Sequence, residues 1–304
     1  MWPADTAEAP EAVEAPASKS TAPRLATFPG IRLGTSAFTA AGWPGTFYPV
    51  GLSPRDYLSY YSRQFDTVEV DSTFYRCPAA STVRGWYEKT PPGFIFSAKV
   101  PQSITHDKCL VDCAGEMAEF ISTMELLREK LGPLLLQFGY FKDTEFRGVD
   151  EFLARLVPFL DKLPRSRRFA LEIRNKHWLS EKFIAVLRER GIALALIDQS
   201  WMPVWMSEPL EWQARSLDLV TADFCYVRWL GDRKGIEEIT STWDKTIVDR
   251  RGDLQRWVDA CITIRRRGAD IYAYANNHYA GHGPATLALF ADLYAARTAS
   301  EIGD

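Results

Sequence analysis

Short apolar runs recur along the chain, each ending in one or two polar groups and then a loop. They are Ile31 to Ser36, Thr67 to Asp71, Phe94 to Val100, Leu134 to Phe138, Phe169 to Arg174, Ala193 to Asp198, Phe224 to Trp229 and Ile271 to Ala275. Each is too short for a helix and rich in Val, Ile, Leu, Phe or Tyr, which predicts eight strands covered on both faces. Between them the apolar spacing changes to a helical period. It is clearest for Met117, Phe120, Ile121, Met124, Leu127 and Leu131, with Gly132-Pro133 as the stop, and for Leu254, Trp257, Val258, Cys261 and Ile262, with Gly268 as the stop. Ser53-Pro54 opens an earlier helix and Ser180 caps another. Pro158 predicts a kink in a helix from about Val149 to Leu163, and Pro284 opens the last one. Only from Gln199 to about Asp223 is the pattern poor, with room for a short helix near Leu210 to Leu217.

Alternating strand and helix through the whole body predicts a single-domain α/β fold, a (β/α)8 TIM-like barrel. The alternative is a doubly wound open sheet. It would want a glycine-rich phosphate turn after the first strand, and Gly34-Thr35-Ser36-Ala37 is a poor match. Residues 1–27 are rich in Ala, Pro, Glu, Ser and Thr, with Trp2 and Leu25 as the large apolar groups. Such a segment buries too little surface to offset its ordering entropy and is expected to be a disordered tail ahead of a barrel over residues 28–304.

Function in this fold sits where the strands end. The predicted strand-to-helix loops are the long ones, and the strand ends carry Ser36, Glu69 with Asp71, Lys99, Gln137, Glu172 with Arg174, Asp198, Arg228, and Asn276 with Asn277. Glu172 and Arg174, two apart on a strand, share a face. Any one of these is by itself an ordinary polar strand end or half of a structural ion pair. A ring of them calls for partners or a ligand, because unpaired buried charge costs several kcal/mol. Glu69, Lys99 and Glu172 are the candidate proton-handling groups, with Lys99 also a possible imine-forming amine. Arg174 and Arg228 suit an anion. Gln137, Asn276 and Asn277 suit hydroxyls or amides, and the aromatics Trp43, Tyr48, Tyr75, Trp178 and Trp229 lie in or beside the strand-end loops. His106, His177, His278 and His282 lie there too. Glu172→Ala and Lys99→Ala are expected to fold and to lose ligand.

Composition narrows this little. The chain of 304 residues is 46% hydrophobic and 25% charged, with a net charge of -3. That is ordinary for a globular protein and gives no general support for nucleic-acid binding. There is no signal-peptide pattern and no span for a membrane. Five cysteines, an odd number, suggest reduced thiols and a cytoplasmic location. Cys109 and Cys113 lack the third cysteine of an iron–sulfur motif, Glu116 standing in its place. No helical H-x-x-x-H pattern or nucleophile elbow appears; a metal site from His177, His278, Glu172 and Asp198 is the alternative to no metal or cofactor.

The motifs Leu33-Gly34-Thr35-Ser36, Gly42-Trp43 to Phe47-Tyr48-Pro49, Thr67-Val68-Glu69-Val70-Asp71-Ser72-Thr73-Phe74-Tyr75, Phe96 to Lys99, Ile104-Thr105-His106, Leu135-Leu136-Gln137-Phe138, Glu172-Ile173-Arg174 with Trp178, Tyr226-Val227-Arg228 and Tyr274-Ala275-Asn276-Asn277 resemble the DUF72, or YecE-like, family. The resemblance runs from about Ile31 to Arg297. It implies a TIM-like barrel and no particular reaction; by analogy of fold alone it brings in sugar-isomerase-like and endonuclease-like barrels. One motif departs: where the family often has Arg-x-His-Gly, this chain has Arg228-Trp229-Leu230-Gly231, so no role for that histidine carries over. The resulting expectation is a metal-independent enzyme. Glu69, Lys99 and Glu172 would be catalytic. Ser36, Tyr75, His106, Gln137, Arg174, Trp178, Asp198, Arg228, Asn276 and Asn277 would bind a small polar or anionic, sugar-like or nucleotide-like ligand. The alternatives are a nucleic-acid-binding or repair protein, glycoside hydrolysis by Glu69 and Glu172, and a non-catalytic ligand sensor.

Overall fold

A computed structural model describes residues 24–302 of the chain. Eight parallel strands form one sheet in the order β1-β8-β7-β6-β5-β4-β3-β2. They are β1 Ile31–Thr35, β2 Thr67–Val70, β3 Ile95–Lys99, β4 Leu131–Gln137, β5 Phe169–Glu172, β6 Ala193–Gln199, β7 Phe224–Gly231 and β8 Asp270–Ala275. The helices between them are α1 Tyr57–Gln64, α2 Ala80–Glu88, α3 Ala114–Met124, α4 Val149–Leu160, α5 Glu181–Glu189, α6 Pro209–Ala214, α7 Arg233–Glu237, α8 Arg251–Arg266, α9 Asn277–Ala280 and α10 Gly283–Ile302. This is the expected (β/α)8 barrel rather than an open sheet.

The sheet's two ends, β1 and β2, meet across a seam bridged by a side chain. The Tyr61 hydroxyl accepts from the Thr35 amide at 2.7 Å and donates to the Thr67 carbonyl at 3.2 Å. Tyr61 is fully buried, so neither backbone group could find water in its place. Gly34 lets the strands come this close: a Cβ there would lie 2.0 Å from the Thr67 carbonyl oxygen.

Two local expectations change. The helical spacing up to Leu131 breaks early. α3 ends at Met124, a tight turn follows with Arg128 at φ 52°, and Leu131-Gly132-Pro133 already belongs to β4. Gly132 is there for close strand packing and is no helix stop, since a Cβ would meet Ile95 Cγ2 at 2.4 Å. Helix α4 ends at Leu160, two residues past Pro158, without continuing to Leu163. The Ser180 cap is as expected: its side chain accepts from the Phe183 amide.

The expected tail over residues 1–27 falls mostly outside the described residues. Its last part is tied to the barrel: Arg24 Nη2 meets Asp66 Oδ1 at 2.8 Å, and the Leu25 amide donates to the Gln64 carbonyl at 3.3 Å. Among the described residues no helix is long and apolar enough to cross a membrane.

Candidate functional site at the C-terminal mouth of the barrel

Residues two apart on a strand face the same way. That alternation brings Thr67 and Glu69 of β2, Ser97 and Lys99 of β3 and Tyr226 and Arg228 of β7 into the polar contacts of the barrel interior, with Tyr274 of β8 among them. The lower layer is neutral: the Tyr274 hydroxyl sits 2.6 Å from Ser97 Oγ and 3.0 Å from Thr67 Oγ1. The layer above it is charged.

Arg228 is the centre of that charged layer and is 2% exposed. Its Nε and Nη2 donate to Glu69 Oε1 at 3.1 and 2.7 Å, and its Nη1 donates to Glu172 Oε2 at 2.5 Å. Nη2 also reaches Asp71 Oδ1 at 3.4 Å. Glu69 Oε2 accepts from the Tyr226 hydroxyl at 2.6 Å, and Glu172 Oε1 accepts from Arg174 Nε at 3.1 Å. Glu69 and Glu172 have no solvent exposure at all. Every oxygen of both carboxylates therefore has a charged or hydroxyl donor, which is what makes such burial tolerable.

The two carboxyls are tuned in opposite directions. Burial pushes Glu69 up to about 7, with Arg228 pulling against it and Asp71 adding to the rise. Burial acts on Glu172 as well, but Arg228 and Arg174 together outweigh it and hold its carboxyl below the ordinary value. Lys99 stands beside them with its Nζ 3.8 Å from Asp71 Oδ1 and 4.0 Å from the centre of the Phe74 ring. Burial lowers its pKa, partly offset by Asp71. His106 follows β3 in a single tight turn. Its Nδ1 lies 2.8 Å from Thr105 Oγ1, its ring meets Phe74 edge-on at 5.0 Å, and burial, then Lys99 and Arg174, lower its pKa.

The expected residues divide accordingly. Glu69, Lys99, Glu172, Arg174 and Arg228 converge, with His106 beside them and Gln137 paired in register with Glu172. Gln137 is buried and donates to the Phe138 carbonyl. Tyr75 is 75% exposed and meets Phe74 edge-on. Asn276 and Ser36 bond to each other at 2.9 Å, joining the ends of β8 and β1.

Four expectations need correction. Arg228 is buried and spends four of its five N–H groups on three carboxylates of the chain itself, instead of standing open to an external anion as expected. Asp198 turns away from the ring and accepts from Trp257 Nε1 at 2.8 Å and the Tyr279 hydroxyl at 2.9 Å, fastening α8 and α9 to β6. Trp178 is buried against Phe141 and Phe152, at 5.8 and 5.3 Å, and packs in the core. Asn277 accepts from Trp43 Nε1 and the Gly283 amide and so braces the β1 and β8 loops. Trp43, Tyr48 and Trp229 are likewise core residues. One guanidinium bridges Glu69 and Glu172, the pair that glycoside hydrolysis would use.

Tyr226, Ser97 and Thr67 were not anticipated. Their signal was present as polar groups at every second position of otherwise apolar strands. The four residues of the alternative metal site do not meet: Glu172 and Asp198 are bonded as above, His177 is exposed, and His278 lies between Asn276 and Glu237. Among the described residues no group of three or more His, Cys, Asp or Glu is arranged to hold a metal ion. Cavities of about 350 Å³ beside Arg167 and Arg168, and about 500 Å³ beside Arg188 and Arg267, contain none of the mouth residues.

These features define a TIM-like barrel protein with a carboxylate–guanidinium cluster set into its C-terminal mouth. The chain belongs to the DUF72 family: the model described as "Protein of unknown function DUF72" matches residues 32–302. It is 29% identical to UPF0759 protein YecE of Escherichia coli K12 over 158 residues, 50% of this chain and 55% of YecE. To UPF0759 protein YunF of Bacillus subtilis it is 30% identical over 150 residues, 47% of this chain and 51% of YunF. The chain thus spans about half the length of the curated relatives it matches. A DUF72 family protein from Thermotoga maritima superimposes with a TM-score of 0.65 at 26% identity, covering 88% of this chain and 98% of that one. One from Enterococcus faecalis gives 0.62 at 19% identity, covering 87% and 95%, a likeness of fold.

Proposed function

We propose that the mouth is the active site of a metal-independent enzyme that acts by acid/base chemistry on a small anionic ligand, sugar-like or nucleotide-like. The observation that carries this is the pair of fully buried glutamates bridged by Arg228 and pushed in opposite directions, Glu69 up to about 7 and Glu172 down. Two carboxyls with separated pKa values can act as acid and base at one pH. Lys99 and Arg174, with His106 beside them, are the cationic groups with some exposure and receive the anion. Phe74 and Tyr75 offer flat surfaces for a ring. The unpaired thiols of all five cysteines support a cytoplasmic location.

The test is a calorimetric panel of sugar phosphates and nucleoside monophosphates against the wild type and Lys99→Met. A buried ammonium with no close acceptor contributes little to stability, so Lys99→Met should unfold at the wild-type midpoint. It should weaken the best ligand by about tenfold or more, the worth of one charge-assisted hydrogen bond. Absence of binding across the panel, or equal binding by both proteins, would contradict the proposal.

A further inference from the structure

We infer that Lys99 is a nucleophilic amine that condenses with the carbonyl group of a small anionic aldehyde or ketone to form an imine. This rests on the reading of the mouth as a binding site for a small anion and adds to it the class of compound.

Among the described residues two lysines are buried, and they are built differently. Lys130 is 4% exposed, and its Nζ donates to the Tyr87 carbonyl at 2.7 Å, the Thr90 carbonyl at 2.6 Å and Thr90 Oγ1 at 3.2 Å. All three donors are taken, as a structural ammonium requires. Lys99 is 9% exposed, and its closest carboxylate oxygen, Asp71 Oδ1, lies at 3.8 Å, beyond hydrogen-bonding distance. Below the amine is the Phe74 ring rather than an acceptor. Its backbone is nonetheless fixed, since the Lys99 carbonyl accepts from Thr73 Oγ1 at 2.7 Å. The strand end that carries the amine is held in place, and among the described residues its nitrogen has no hydrogen-bond acceptor.

Burial favours the neutral form of the amine, against most of the charged groups around it. Burial comes first and Arg228 adds to it; Asp71, Glu172 and Glu69 push back without restoring the ordinary value. A desolvated lysine beside another cation is the usual form of an activated amine. Arg174, whose side chain is 25% exposed with its Nε on Glu172, lies near enough to lower the pKa of His106 together with Lys99. It supplies the charge that a carboxylate or phosphate on the substrate would meet.

The step balances without any oxidant or reductant. The Nζ lone pair forms a bond to the carbonyl carbon while the C=O π pair moves to oxygen. The oxygen then leaves as water with the two amine hydrogens, and C=N replaces C=O. Protons pass through solvent at the mouth, to which the Lys99 side chain is 11% exposed.

The experiment traps the imine by reduction. The full chain is incubated at neutral pH with cyanoborohydride and either glyoxylate, an aldehyde carrying a carboxylate, or glycolaldehyde, which is neutral. The modified lysines are located by peptide mass spectrometry. Lys99 should be alkylated by glyoxylate several-fold faster than exposed lysines such as Lys142 and Lys162, because its lowered pKa leaves more of it as free amine and Arg174 holds the carboxylate beside it. Arg174→Gln should slow the glyoxylate reaction more than the glycolaldehyde reaction. Modification of Lys99 no faster than that of the exposed lysines would overturn the inference. Inorganic phosphate titrated against the His106 ring signals then shows how much falls. A shift of His106 with an inert Lys99 removes the covalent step and leaves the anion site; no shift with an inert Lys99 removes both.

Discussion

A guanidinium as buried as Arg228 is costly to hold unless countercharges surround it, and here Glu69, Asp71 and Glu172 do so. The three carboxylates come from two strand ends, and each would be costly in turn without the arginine. This changes what substitution can test. Glu172→Ala, which the strand-end position alone marks as harmless to folding, removes a countercharge from the interior. Glu172→Gln keeps the shape and should cost about 3 kcal/mol in urea denaturation at neutral pH, the lower end of the loss when one partner of a buried ion pair goes. The sign with pH follows from the lowered pKa of Glu172. Its contribution is present above the unfolded value near 4.5 and is lost as pH falls through the lower folded value, so the gap to the wild type should narrow in acid. A gap that stays the same at every pH would mean that the loss is one of packing and not of charge. Lys99, with no hydrogen bond to lose, is the residue of the cluster whose function can be separated from its role in folding.

At the scale of elements, strand ends were legible in sequence as a polar residue closing an apolar run, but the direction of that residue was not. Asp198 and Glu172 both close buried strands, yet Glu172 faces the mouth and Asp198 faces α8 and α9. The difference lies in partners remote in sequence, Trp257 and Tyr279, whose donors need an acceptor. Residues two apart carried more information: Glu69 with Asp71 and Glu172 with Arg174 both entered the cluster, as did the unanticipated pair Tyr226 and Arg228. Trp178 followed the reverse rule, an aromatic near a strand end that packs with Phe141 and Phe152 instead of facing a ligand. Asp198→Ala should leave the Trp257 and Tyr279 donors unpaired and cost about 1–3 kcal/mol in denaturation, the penalty for stranded buried polar groups. Ligand binding at the mouth should be unchanged in the folded variant. A loss of binding with no loss of stability would return Asp198 to the site.

At the scale of the molecule, the alternation of strand and helix and the long loops at one end identify the barrel and its functional face. Closure was less visible, because it depends on Gly34 and on the Tyr61 hydroxyl, groups that look ordinary in sequence. Closure is also what lets β2, β5 and β7 contribute to one cluster, and so what separates the pKa values of two glutamates that would otherwise be alike. The measurement that tests this most directly is a carbon-13 NMR titration of the glutamate side chains, assigned with Glu69→Gln and Glu172→Gln. Glu69 should change protonation near pH 7, while Glu172 should stay ionised to below the ordinary glutamate range. Two ordinary titrations near 4.5, or both residues changing together, would contradict the account.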